Sequence, residues 1–248
     1  MTTDIFVVSY WKDANWLEYC LRSIQKYAKG FRQTVVVYPA RDIETMKPVC
    51  DKFNFVVQKT VEEPEGKGHE FQNALKTMCD TFSDADYFFH LDSDCVLTEE
   101  ASPEDYFTNG LPDIVYAHFS ALDTAHNGGP VPWQRITTRA LGVYVEIETM
   151  RRFPLLYPRW LYEKTRARVE EVNHMDFQKY ALYSPPLPPA WRGYSEFCTL
   201  GAMAYYFFRD RFYFYDTANP LKPGKVKQGW SHSGLTEEER LHLEKVTR

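Results

Sequence analysis

The five cysteines include no CxxC pair, and their odd number leaves at least one unpaired, so neither a disulfide framework nor a thiolate zinc site is expected. No apolar run approaches the roughly 18 residues of a membrane span. Residues 1–11 have no basic start and run at once into the strand-like Ile5-Phe6-Val7-Val8, which speaks against a secretory leader. Internal repeats and low-complexity tracts are missing too, so neither a solenoid nor a disordered chain is expected. These absences describe a soluble, reduced, cytosolic protein without a membrane partner, placed in the host cytoplasm if it is viral.

What is present can fill a large core: the 248 residues are 44% hydrophobic and 16% aromatic. The formal net charge of -5 is unevenly spread. Residues 125–248 hold 18 Lys and Arg against 13 Asp and Glu, and residues 1–124 hold 11 against 21. A basic second half suits a polyanionic acceptor such as nucleic acid, or balances the acidic half across an interface.

Along the chain, residues 4–9 read as a buried strand that leaves through Ser9-Tyr10-Trp11-Lys12-Asp13. Leu17, Cys20, Leu21, Ile24 and Tyr27 recur at helical spacing, with Asp13 placed to cap that helix and Gly30 to stop it. Strands are expected at 34–38 and 53–57, with a Pro48-interrupted helix between them. Past a polar loop at 62–68, Phe71, Ala74, Leu75, Met78 and Phe82 mark a further helix that feeds a central strand. Strands alternating with helices predict an α/β protein with a mostly parallel sheet, whose ligands sit at the carboxyl ends of the strands.

Beyond residue 100 the signals are Ser102-Pro103 as a helix start, a strand at 113–118 and an aperiodic loop at 119–135. Residues 140–147 look extended, 160–182 look like one long helix, and the proline-rich 184–189 is a connector. A helix at 194–208, an aromatic strand at 212–215 and a last helix opened by Thr236-Glu237-Glu238-Glu239 complete the reading.

The chemistry concentrates at Tyr87-Phe88-Phe89-His90-Leu91-Asp92-Ser93-Asp94, an apolar strand that runs into two carboxylates. Such a tip gains from a hard divalent cation, Mn2+ or Mg2+, which relieves the mutual repulsion and leaves open positions for phosphate oxygens. Asp and Ser are also ordinary turn residues.

This strand-Asp-Ser-Asp tip, set after three β-α units and followed downstream by Trp230-Ser231-His232-Ser233-Gly234, resembles the GT-A family of nucleotide-sugar glycosyltransferases. Val7-Val8-Ser9-Tyr10, Leu17, Cys20-Leu21 and Ser23-Ile24 resemble the family's opening. The likeness covers about the first hundred residues and the last twenty. It implies a Rossmann-like fold, a metal held by Asp92, Asp94 and His232, and a nucleoside-diphosphate sugar as donor, a UDP-sugar first among them. It divides one continuous domain into a donor-binding half, residues 1–110, and an acceptor-binding half with a closing tail, residues 111–248.

By the same resemblance Ser9, Tyr10 and Asp13 border the base or ribose, Ser93 lies between the metal-binding carboxylates, and Lys67 and Lys227 reach ribose or phosphate. Each has a plainer alternative: Tyr10 a core ring, Asp13 a helix cap, Lys67 a solvated loop lysine, His232 a structural residue. Glu196, at the start of an otherwise apolar helix, is the candidate base or positioning group beside Asp94, although a helix N-terminus favours Glu in any case. Asp176 is a second choice. The His232 turn resembles retaining members more than inverting ones.

Asp92-Ser93-Asp94-Cys95-Val96 also satisfies the nucleophile motif of haloacid-dehalogenase-like phosphatases, in which Asp92 would attack phosphorus. A non-catalytic sugar-nucleotide-binding protein is the other alternative. Aromatics interleaved with Arg209 and Arg211 in 205–215, and Arg135, Arg139, Arg151, Arg152 and Arg159 before the long helix, suit an extruded nucleotide. The acceptor expected is a soluble hydroxyl compound, most specifically a hydroxymethylated base in DNA, of the kind bacteriophages make, and otherwise a saccharide or small molecule.

Overall fold

Near-continuous apolar runs build the first half of the fold: β1 (Thr3–Val8), α1 (Ala14–Tyr27), β2 (Thr34–Pro39), α2 (Ile43–Cys50), β3 (Val56–Val61), α3 (Gly68–Thr77) and β4 (Tyr87–His90). The second half adds β5 (Cys95–Leu97), β6 (Phe107–Thr108), β7 (Leu111–His118), α4 (Trp133–Leu141), β8 (Ile147–Glu148), β9 (Leu155–Pro158), α5 (Arg159–Asn173) and α6 (Phe177–Tyr183). It closes with α7 (Glu196–Phe207), β10 (Tyr213–Asp216), β11 (Val226–Gln228) and α8 (Glu237–Thr247). The computed structural model describes residues 1–122, 133–151, 153–188, 190, 192–219, 224–229, 231 and 234–247.

The central sheet has the order β3-β2-β1-β4-β9, with β1 to β4 parallel and β9 antiparallel to β4. β1 and β2 are buried along their whole length, as expected of strands covered by helices on both faces. β3 is the edge, half-exposed and carrying Lys59, which blunts it against pairing with another chain. The chain moves outward from β1 to β2 and β3 and then crosses back to β4 on the other side of β1. That reversal opens a crevice between the carboxyl ends of β1 and β4.

A second sheet joins β10, β7 and β6, with β8 also on β7, and a two-stranded ribbon pairs β11 with β5. Through that ribbon Gly229 and Ser231 return to the acidic tip. Behind it α8 docks on α1, where Leu243 packs with Trp16 and Val96, and Lys26 and Tyr27 donate to the Val246 carbonyl.

The architecture agrees with the expected mostly parallel α/β sheet, while several elements depart from the sequence reading. The third strand is Val56–Val61, not 53–57, because Phe53 turns into the core and pairing with Thr34–Pro39 fixes the register. Residues 140–147, expected to be extended, largely follow the end of α4, and only Ile147–Glu148 is strand. The expected helix over 160–182 breaks at His174, which takes a left-handed conformation with φ 50, and Asp176 caps the new helix by accepting from Lys179 N–H at 3.0 Å. Asp176, the second-choice acid, is therefore an exposed cap. Ser102-Pro103 opens only one tight turn, with Asp105 completing its capping box. The capping box at Thr236 and Glu239 is present, with mutual bonds of 2.9 and 3.2 Å. All five cysteines are buried free thiols.

Candidate functional site

The crevice gathers residues from three places in the chain. Asp92-Ser93-Asp94 leaves β4, Ser9 and Asp13 follow β1, and Ser231 arrives with the tail. The Ser93 hydroxyl donates to Asp13 Oδ2 at 2.8 Å, and the Ser231 hydroxyl donates to the same oxygen at 3.3 Å. Ser231 N–H donates to Asp94 Oδ2 at 3.1 Å, and Gly229 N–H to the Asp94 carbonyl at 2.7 Å. Asp13 thus makes no cap bond to α1 and ties β1, β4 and the tail together. Gly229 permits this approach, since a Cβ there would stand 2.6 Å from the Trp16 ring.

Burial pushes the Asp94 carboxyl up to about 6; the charges of Asp92 and Asp13 add to the rise, while the Ser231 N–H opposes it. Asp13 is also raised, first by burial and further by Asp92, against the two serine hydroxyls. Three carboxylates therefore crowd one crevice with too little positive charge between them. Asp94 is the carboxylate of that set that a hard divalent cation would relieve most. Among the described residues no three His, Cys, Asp or Glu side chains gather closely enough to hold a metal by themselves. His232, the expected third ligand, lies outside the described residues.

Asp92 faces the other way. Its Oδ1 lies 2.7 Å from Lys76 Nζ, and the same ammonium lies 3.2 Å from Glu196 Oε1. Lys76 is buried, and its ammonium also stands 5.1 Å from the centre of the Phe197 ring. Burial alone would pull its pKa down, but the two carboxylates outweigh burial and raise it, so the residue stays charged. Glu196 opens α7 and Lys76 belongs to α3, so the pair joins the two walls of a pocket of ≈ 310 Å³ whose floor holds Asp92.

The pocket walls mix polar side chains with Met150, Phe153, Leu155 and Phe197. Asn73, Gln72 and His69 come from α3, Gln228 from β11, and Arg151, Arg192 and Trp133 from the stretch that runs from α4 to α7. Arg151 is held by an ion pair with Glu148, a fully buried carboxylate that also accepts from Met150 N–H at 3.0 Å. Burial lowers the pKa of Arg192, and the charge of Glu196 opposes that. Bidentate amides, carboxylates and guanidinium groups beside an indole are what a neutral polyhydroxylated ligand requires.

Not every expected residue joins this pocket. Ser9 is buried at the end of β1 and donates its N–H to Val37. Tyr10 is 37% exposed at the crevice rim. Lys67 stands at the start of α3, 4.0 Å from Glu70 and 5.3 Å from the Tyr183 ring centre, and does not line the pocket. Lys227 is exposed on β11 opposite Val96. Arg135 and Arg139, expected to meet phosphate, hydrogen-bond backbone carbonyls of Pro188, Pro185 and Gly193 and so hold the connector that carries Arg192. Arg209 stacks 4.0 Å over Tyr205, and Arg211 lies 5.6 Å from the Trp160 ring centre. Arg152 is outside the described residues, as is most of the 119–135 loop.

Sequence reasoning missed Lys76, Asn73 and Arg192, and named Arg151 only among the arginines suited to a nucleotide acceptor. The one available signal was Lys76 next to Leu75 on the apolar side of a helix. A search against protein-family models finds no match, and a search of curated proteins finds none either.

Proposed function

We propose that this protein is a metal-dependent glycosyltransferase of the GT-A type, moving a sugar from a nucleoside-diphosphate sugar to a hydroxyl of an acceptor. The observation that carries the reading is the convergence of Asp13, Asp92, Asp94 and Ser231 at the crevice between β1 and β4, next to a polar pocket that ends on Glu196. Asp94 and Asp92, with His232, would hold a divalent cation. When bound, that ion supplies charge neutralisation for a departing diphosphate.

The chain's own residues do the rest. Ser9, Tyr10 and Asp13 border the nucleoside, with Ser93 fixing Asp13. Asn73, Arg192 and Gln228 hold the sugar in the pocket, and Lys76 bridges Asp92 and Glu196 and fixes their positions. In the transfer, the acceptor oxygen bonds to the anomeric carbon while the bond from that carbon to the β-phosphate oxygen breaks. The electron pair leaves with the nucleoside diphosphate. The acceptor proton passes to Glu196 or to the leaving phosphate oxygen. Among the described residues no helix is long and apolar enough to cross a membrane.

The reading is tested by incubating the protein with UDP-, GDP- and dTDP-sugars and Mn2+ and measuring release of nucleoside diphosphate. Release from one donor that stops with chelator supports it. Release from none, with phosphate liberated from a phosphate monoester instead, would favour Asp92 as a phosphatase nucleophile.

A further inference from the structure

Lys76, Arg151 and Arg192 all line the pocket above Asp92, yet their charges are met in different ways. Lys76 is engaged by both pocket carboxylates, Asp92 at 2.7 Å and Glu196 at 3.2 Å. Arg151 is engaged on one side only. An ion pair joins its Nε to Glu148, while its terminal nitrogens have no hydrogen-bond partner among the described residues. Arg192 is partly buried and makes no hydrogen bond or ion pair among the described residues. It feels the charge of Glu196 from beyond ion-pair distance, and burial pulls its pKa down.

Both arginines are held in place from behind. Glu148 is fully buried at the end of β8, and such a buried pair contributes little to stability compared with apolar side chains. Its use is to fix the Arg151 fork at the pocket wall, as a supporting residue does at a binding site. Arg192 sits in a turn that Arg139 grips through the Gly193 carbonyl at 2.8 Å. That turn packs directly on the end of α6, where a Cβ at Gly193 would stand 1.9 Å from the Ser184 carbonyl oxygen. A neutral sugar can take one or two N–H donors from this wall, but it brings no charge. Each guanidinium has five donors in a fixed fork that matches phosphate or carboxylate oxygens two at a time.

We infer that Arg151 and Arg192 form an oxyanion subsite, and that the acceptor carries a phosphate or carboxylate group beside the hydroxyl that takes the sugar. The inference rests on the transferase reading, in which a metal at Asp92 and Asp94 takes the donor diphosphate and leaves these two guanidinium groups to the acceptor. Arg192 comes just before Glu196 in the chain and lines the same pocket, so an acceptor anchored on it presents its hydroxyl close to that carboxylate. The hydroxyl oxygen then bonds to the anomeric carbon, and its proton leaves as described above.

The test is saturation-transfer NMR on the full chain without metal. Glucose 6-phosphate, glucuronate and a thymidine dinucleotide carry the oxyanion as a monoester, a carboxylate and a diester, and methyl β-glucoside is the neutral comparison. At least one oxyanion probe should bind better than the glucoside, and which one does identifies the group. Arg192→Gln should weaken that probe about tenfold and leave the melting temperature without ligand unchanged, because Arg192 has no partner in the fold to lose. Arg151→Gln and Glu148→Gln should each weaken it, and the double variant no more than Arg151→Gln alone, since Glu148 acts through Arg151. Should the Glu148 variants not fold, Arg192→Gln decides. No preference over the glucoside, or affinity unchanged by Arg192→Gln, would overturn the assignment. So would an equal loss of nucleoside-diphosphate affinity in Arg192→Gln with Mn2+, which would give that arginine to the donor. Stabilisation of wild type by a nucleoside diphosphate is read separately. If it persists while no oxyanion probe binds, the subsite alone is wrong; if it is missing while a probe binds through Arg192, the donor reading fails and the subsite stands.

Discussion

Lys76 Nζ lies 2.7 Å from Asp92 Oδ1 and bridges on to Glu196 at 3.2 Å, so an ammonium from α3 couples the acidic tip after β4 to the first residue of α7. The bridge draws together residues more than a hundred positions apart. It gives Asp92 and Asp94 different roles: Asp92 is held by the protein, and Asp94 is left short of positive charge.

Lys76→Met removes the ammonium and leaves two carboxylates facing an apolar side chain. Breaking one partner of a buried ion pair costs about 3–5 kcal/mol. Urea unfolding is expected to show a loss of that order, and Lys76→Met/Glu196→Gln should recover part of it. A single variant as stable as wild type would show that the bridge contributes nothing.

Asp94→Asn acts in the opposite direction on stability. Its carboxyl, raised to about 6 by burial and by its charged neighbours, costs roughly 3 kcal/mol to ionise at pH 7. The amide keeps an acceptor for Ser231 N–H. The variant should therefore unfold no more easily than wild type in the absence of ligand and yet lose Mn2+-dependent nucleotide binding. Calorimetry with Mn2+ and the preferred nucleotide checks the second half.

The tail's approach depends on Gly229. In Gly229→Ala the methyl group would meet the Trp16 ring at 2.6 Å, and Gly229 and Ser231 are expected to lift from Asp94. Amide exchange at Ser231 and through α8 should quicken, with the central sheet unchanged. Unaltered exchange at Ser231 would mean that the ring gives way instead.

Acid stability should carry two opposed signatures. His90, buried with its Nε2 2.6 Å from the Tyr162 hydroxyl, has its pKa lowered to about 3 by burial and by the charge of Lys76. A lowered base binds fewer protons folded than unfolded. Its contribution is present above an ordinary value near 6.5 and is lost as pH falls toward 3, at most about 5 kcal/mol. Asp94, raised from 3.8 to about 6, does the reverse: its contribution is present below 3.8 and is lost as pH rises through 6. Between pH 4 and 6 the loss of stability on acidification should thus be shallower in His90→Gln and steeper in Asp94→Asn. Unfolding free energies at several pH values decide this, and parallel curves for all three proteins would contradict it.

The acidic tip was legible as the end of a buried strand because the apolar run stops there at two carboxylates, and the β-α alternation before it pointed to a mostly parallel sheet. The edge strand β9 was not, since Leu155–Pro158 is four residues long and follows Pro154, so no periodicity could develop. The break at His174 hid inside a charged stretch that reads as continuous helix. Lys76 reads as a solvated helix lysine until α7 is laid against α3, and Arg192 follows a proline connector that has no period. Sequence spacing reports which face of an element is buried; it does not report which charged side chains meet across a pocket from elements packed together in three dimensions.

The most direct measurement is thermal unfolding with each nucleoside diphosphate, first with Mn2+ and then with chelator. At about 100 times the dissociation constant a ligand adds roughly 2.7 kcal/mol, which for a chain of this size raises the midpoint by roughly 5–10 °C. The account expects one nucleotide to give such a rise with Mn2+, and chelator or Asp94→Asn to remove it. No rise with any nucleotide, or a rise indifferent to both chelator and Asp94→Asn, would contradict the claim that the crevice between β1 and β4 is a metal-dependent donor site.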